Sequence, residues 1–286
     1  MERLLKFDDQ LNEIKSNIVN GRLAQSRELC VSLLSHAPYL SQAWAYLGET
    51  LEKLGYPSEA WHAYDRCSVL DPRAPWIDAV RQRLQVHHQS AIPPWLRDLL
   101  AVPEVSVAAA IIVKDGARTI KGVIEALKGA VDEIVIVDTG STDKTVKIAK
   151  KLGAQVYDFA WNDDFSAARN YAMSKVRADW VLWVDADEVL WQDDIFVPKV
   201  IAGLYNPFDP PFLFRVIIAN HLGDRTEMSY DITRFFPIRF GLKWWGRIHE
   251  QIGGNEQRPV DNPYSLLLEA FASQTRATKP RCYLRN

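Results

Sequence analysis

The chain has 286 residues, 48% of them hydrophobic and 24% charged, the composition of a globular protein long enough for one large domain or two smaller ones. Its 34 basic and 36 acidic residues leave a net charge of -2, so no global field marks nucleic acid or an anionic membrane as a partner. Cys30, Cys67 and Cys282, an odd count without a Cys-x-x-Cys pair, speak against a disulfide framework and a structural zinc site. The charged stretch 1–9 lacks the apolar core of a signal peptide, and no run approaches the ~20 residues of a transmembrane segment, so a cytoplasmic location is expected.

The first ninety residues repeat. Gly21 and Gly55, and likewise Pro38 and Pro72, stand 34 apart, a period that belongs to arrays of helical hairpins. Small residues such as Gly48 and Ala60 let two helices approach, Trp44, Leu47, Leu51 and Tyr64 fill the space between them, and proline ends the hairpin. The succession Trp44, Leu47, Gly48, Leu51, Gly55, Ala60, Tyr64, Cys67, Pro72 resembles the tetratricopeptide pattern, with Leu51 and Cys67 where an aromatic and an alanine are usual. Residues 7–40 read as a degenerate capping repeat, and 75–88 as a third helix covering the open face. Residues 1–90 are therefore assigned to the repeats, and 91–104, with Pro93, Pro94 and Pro103 around Trp95, Leu96, Leu99 and Leu100, to a docked linker.

From residue 105 the periodicity switches to short apolar runs alternating with helical spacing, the signature of βαβ units and a mainly parallel sheet. Strands are expected at 107–113, 133–138, 155–159 and 180–184, with helices around Ile120–Leu127, after Ser141 and Thr142, and over 166–176. Asp163 and Asp164 are expected to open the last of these helices. The fourth strand runs into Asp185-Ala186-Asp187-Glu188, which puts hard oxygen ligands at the carboxyl edge of the sheet, where open α/β sheets bind ligands. No Gly-x-Gly-x-x-Gly or Walker-type loop is present, so a bound nucleotide needs another device for its phosphates, such as a divalent cation held by carboxylates.

Four ordered stretches carry a resemblance: Ile112-Val113-Lys114-Asp115, the run from Asp138 to Thr145, the run from Trp161 to Asn170, and the acidic turn 185–188. Together they resemble family 2 glycosyltransferases of the GT-A fold, in particular bacterial members fused to tetratricopeptide repeats, over about residues 105–252. The resemblance implies a nucleotide-sugar-binding α/β domain, assigned to 105–260, that inverts the anomeric carbon of a donor, a uridine diphosphate sugar being expected. It implies that Asp138 contacts the base with Val113 and Lys114 lining the same pocket, that Asp185 approaches the ribose, that Asp187 holds Mn2+ or Mg2+, and that Arg169 braces the nucleotide side. The first motif departs from the family's Lys-Asn-Glu, reading Lys114-Asp115-Gly116.

Strands are also expected at 212–219 and 231–236, with a polar connection between them. The later stretch Gly246-Arg247-Ile248-His249-Glu250 resembles another segment of the same family, which suggests His249 as a further metal ligand and Glu250 as general base, with Asp231 in reserve. Trp244 and Trp245 read either as core or as a stacking surface for a sugar or an apolar acceptor. Residues 261–286 are assigned to a tail, disordered or helical around 266–271. The repeats favour a protein or peptide acceptor, with a glycan also open. The competing readings are a nucleotidyltransferase of related architecture, which would release pyrophosphate, and a repeat-based scaffold with a degenerate transferase domain.

Overall fold

The computed structural model describes residues 7–84, 91–222, 225–229, 233–254 and 272–274. The chain divides into two compact units at residues 103 and 104.

In the first unit, helices α1 (Asp8–Val19), α2 (Leu23–His36), α3 (Ser41–Lys53) and α4 (Pro57–Leu70) repeat their bounds at 33 or 34 residues, as the glycine and proline spacings predict. Gly21 and Gly55 take left-handed φ values of 71° and 83° at the two hairpin turns. Gly48 supplies the close approach, since a Cβ there would lie 2.7 Å from the Tyr64 ring. The buried hydroxyls of Ser26 and Thr50 satisfy each other at 2.8 Å between α2 and α3. Helix α5 (Ile77–Leu84) follows, and the remainder of the expected third helix, 85–88, falls outside the described residues. The proline-bounded stretch is itself helical, forming α6 (Pro94–Leu100) with Pro94 in the first turn, where its missing N–H costs nothing. Leu96 is fully buried, Arg27 lies 4.5 Å over the Trp95 ring, and Arg66 donates to the Leu100 carbonyl that ends α6.

The second unit holds a six-stranded sheet in the order β3-β2-β1-β4-β9-β6. Strands β1 (Val107–Val113), β2 (Glu133–Asp138), β3 (Gln155–Asp158) and β4 (Trp180–Trp183) run parallel, and β9 (Thr233–Pro237) lies antiparallel between β4 and β6 (Phe214–Arg215). The α/β class and the mainly parallel sheet are thus as expected. Helices α7 (Ile120–Leu127), α8 (Thr145–Lys151), α9 (Phe165–Met173) and α10 (Val197–Tyr205) complete the layers. Ala108, Ala109 and Ala110 of β1 are fully buried, and Ala110 shares a core with Val137, Ala172, Val181, Trp183, Phe236 and Trp244.

Beyond β4 the sequence reading needs correction. The expected single strand at 212–219 is broken into β6 and β7 (Ile217–Leu222), and half of the polar connection expected at 220–229 is strand β8 (Arg225–Ser229), antiparallel to β7. Alternating Thr226, Met228 and neighbouring polar residues suit a two-stranded ladder as well as a loop, so polarity alone misled. A further strand, Ala272–Gln274, lies between β5 (Val189–Leu190) and β7, inside the stretch read as a tail. The helix suggested around 266–271 falls outside the described residues. Strands β10 (Lys243–Trp245) and β11 (Gln251–Gly253) form a separate antiparallel pair.

Candidate active site

The strand order reverses at β1: the chain steps outward through β2 and β3, then returns to place β4 on the other side of β1. That reversal opens a crevice beyond the carboxyl ends of β1 and β4, where doubly wound sheets bind ligands. The loop after β1 and the acidic turn after β4 meet there, since a Cβ added at Gly116 would lie 3.9 Å from Ala186 Cβ. The same atom would stand 2.6 Å from Val113 Cγ2, so the glycine that departs from the family pattern occupies a position with no room for a carboxylate side chain as Val113 now sits.

Asp138 ends β2 in register with buried Val113 on one side and Asp158 on the other. It is only 5% exposed. Its Oδ2 accepts from the backbone N–H groups of Gly140 and Ser141, at 3.2 and 2.9 Å, while its buried Oδ1 has no partner among the described residues. Leaving a buried acceptor unanswered costs about 1–3 kcal/mol. Lys114 is exposed at the next position after Val113. Asp115, at a left-handed φ of 50°, is absorbed in lacing two loops: its N–H donates to Ser141 Oγ at 2.8 Å and its Oδ1 accepts from the Thr142 N–H at 2.7 Å. Asp143 adds a third tie by accepting from the Ala117 N–H.

The acidic turn folds on itself, with the Asp185 N–H donating to Glu188 Oε2 and the Glu188 N–H to the Asp185 carbonyl. Arg234, buried on β9, donates to Glu188 Oε2 at 2.6 Å and to Asp185 Oδ2 at 2.8 Å. Sequence reading missed Arg234. The signal was there, because an arginine inside the apolar strand Thr233–Pro237 must find a carboxylate when buried. Burial pushes the Glu188 carboxyl up to about 7, with Arg234 opposing that rise and Asp185 adding to it. Asp187, by contrast, is exposed and makes no hydrogen bond or ion pair to another described residue.

Helix α9 joins this turn to the later segment. Asp164 caps it by accepting from the Ala167 N–H at 3.0 Å, as expected. Arg169 approaches Asp185 Oδ1 at 3.7 Å and Glu250 Oε1 at 3.4 Å, and its guanidinium lies 4.9 and 4.8 Å from the ring centres of Trp183 and Trp244. Glu250 is therefore an ion-paired carboxylate rather than a free one. The amide of Asn170 pairs with the Trp244 backbone, donating to its carbonyl at 2.8 Å and accepting from its N–H at 2.9 Å, a role the sequence did not disclose. Arg247 donates to the carbonyls of Asn162 and Asp163, and its own carbonyl accepts from the Phe165 N–H, so the two motif stretches hold each other. Trp244 is core, 2% exposed, while Trp245 donates to the Gly254 carbonyl.

His249 is exposed at a left-handed φ of 58°. Among the described residues no group of three His, Cys, Asp or Glu side chains is gathered for a metal. Asp231 lies outside the described residues. No helix of the described residues is long and apolar enough to cross a membrane.

A TPR repeat-containing protein of Synechococcus elongatus is 42% identical over 154 residues, 54% of this chain and 37% of that protein. An uncharacterized glycosyltransferase of Rickettsia bellii is 40% identical over 92 residues, 31% of either chain. The chain thus spans about a third of the length of these curated relatives. Among solved structures, TarS of S. aureus overlaps 47% of this chain and 29% of its own at 15% identity and a TM-score of 0.37. Residues 110–255, about half of the chain and the part that carries the end of β1, the acidic turn and Glu250, match the model of one family. On that match, the chain belongs to Glycosyl transferase family 2.

Proposed function

We propose that this protein transfers a sugar from a nucleoside diphosphate sugar, a uridine diphosphate sugar by its family resemblance, to a protein, peptide or glycan acceptor with inversion at the anomeric carbon. The observation that carries this reading is Asp138, buried at the carboxyl edge with one oxygen holding its own turn and the other unanswered. A base N–H supplies the missing donor, and a charge-assisted hydrogen bond of this kind is about twice as strong as a neutral one. Val113 and Lys114 flank that position, and Asp185 offers Oδ1 to a ribose hydroxyl while Arg234 keeps Oδ2. Arg169 braces Asp185 from the side of α9.

A divalent cation is part of this reading. Magnesium and manganese keep waters and substrate phosphates among their ligands, so the open carboxylate of Asp187, with the exposed imidazole of His249, would be the protein's share. Bound there with the donor, the cation would offset charge growing on the departing diphosphate. Glu250 is the acceptor-side carboxylate on this chain that would take the acceptor's proton. The helical repeats, surfaces of a kind that binds extended chains, favour a protein or peptide as acceptor.

Incubation with UDP-glucose and UDP-N-acetylglucosamine in the presence of Mn2+, with release of UDP measured, tests the reading. UDP is expected from at least one donor, and Asp187→Ala should lower the rate on the order of 100-fold or more. Failure of the protein to bind or cleave any donor, with Asp187→Ala indistinguishable from the wild type, would remove the proposal.

A further inference from the structure

Arg169 touches both halves of the site. Its guanidinium lies 4.9 Å from the centre of the Trp183 ring, which ends β4 beside the acidic turn, and 4.8 Å from that of Trp244 in β10. The two indoles stand edge to face at 5.4 Å, and the Nε1–H of each is buried without a hydrogen-bond partner among the described residues. Both rings lie within cation–π reach of the guanidinium. The next residue, Asn170, grips the backbone of the same Trp244, so two consecutive residues of α9 fasten β10 and bring Glu250 to Arg169.

The contacts of Arg169 are unequal. Asp185 gives its Oδ2 to Arg234 at 2.8 Å, whereas its Oδ1 meets Arg169 at 3.7 Å, beyond hydrogen-bond reach. A hydroxyl donating to Oδ1 therefore competes with the weaker of the two ion pairs. Glu250 and the two indole faces then remain as the guanidinium's partners.

We propose that Arg169 is a positioning residue that ties occupancy of the donor turn to the placement of Glu250 and the segment 243–253. This rests on the nucleotide-sugar reading above for its ligand-dependent part only. A planar guanidinium is required, because a lysine keeps the charge but loses the flat contact beside the two indoles and the fork that reaches two carboxylates.

Hydrogen–deuterium exchange of the full chain, wild type against Arg169→Lys, provides the test. Without ligand, exchange across 243–253 is expected to quicken at least ~10-fold in the variant, with 107–113 and 133–138 unchanged. With UDP and Mn2+, the wild type should slow across 243–253 and the variant should not, a ligand-dependent split that a merely structural role would not produce. Unchanged ligand-free exchange in the variant, or equal slowing by UDP in both proteins, would overturn the proposal. Glu250→Gln leaves the edge-to-face indole pair in place and is expected to loosen 247–253 by itself, which keeps the test open should Arg169→Lys not fold. A wild type that ignores UDP counts against the donor reading, and the ligand-free comparison then decides whether Arg169 places Glu250.

Discussion

In the helical unit, the half-buried carboxylates are answered from within: Glu52 accepts from Arg83 and from the Tyr64 hydroxyl, and Asp65 accepts from Arg81 at 2.7 Å. In the α/β unit, two carboxylates at the carboxyl edge are not. Asp138 keeps one oxygen open in a buried setting and Asp187 stands alone on the acidic turn, although Asp185 and Glu188 beside it are closed by Arg234. The same chemistry thus serves two purposes, and the test of purpose is whether a partner of opposite charge is already in place. Answered carboxylates hold structure; unanswered ones in a crevice are available to a ligand.

The largest effect that could break this distinction lies at Arg234. Replacing it with methionine strands Glu188 and Asp185 without their cation, and urea unfolding of the full chain should show a loss of about 3–5 kcal/mol. A loss below ~1 kcal/mol would mean that the closed pair is not structural after all. Next comes Gly48→Ala, which drives a methyl into the Tyr64 ring that Glu52 and Trp76 already hold in place. About 1–3 kcal/mol of stability should go, with UDP binding unaltered; a matching fall in UDP affinity would blur the division of labour.

The smallest effect is at Glu52, whose carboxyl the hydrogen bond from Arg83 holds below the usual range. A depressed carboxylate contributes stability above its unfolded pKa and loses it as pH falls through the folded value. The wild type should therefore lose more stability than Glu52→Gln as pH drops below the ordinary carboxylate range, measured by urea midpoints across an acid series. Equal midpoints would assign the Glu52 contact no share in stability.

Much of this architecture was legible because it rests on local periodicity. The 34-residue spacing of Gly21 with Gly55 yields helices repeated at that interval, and the apolar runs 107–113 and 133–138 are the strands β1 and β2 to the residue. What escaped rests on contacts distant in sequence. Arg234 meets Glu188 46 residues away, Asn170 meets Trp244 74 residues away, and neither pairing leaves a local pattern. The helix Pro94–Leu100 was hidden by reading prolines as linker punctuation, although a proline in a first turn starts a helix as readily as it ends one. At the site, the sequence could nominate Asp138, Asp185 and Asp187 together, but only the fold separates the oxygens already spoken for from those left open.

Titration calorimetry of UDP in the presence of Mn2+, on the wild type and on Asp138→Ala, tests the central claim most directly. An unanswered buried oxygen that receives a base N–H predicts saturable binding by the wild type and an affinity ~10–100-fold lower in the variant, with folding intact by circular dichroism. Equal UDP affinity in a folded Asp138→Ala protein would contradict it.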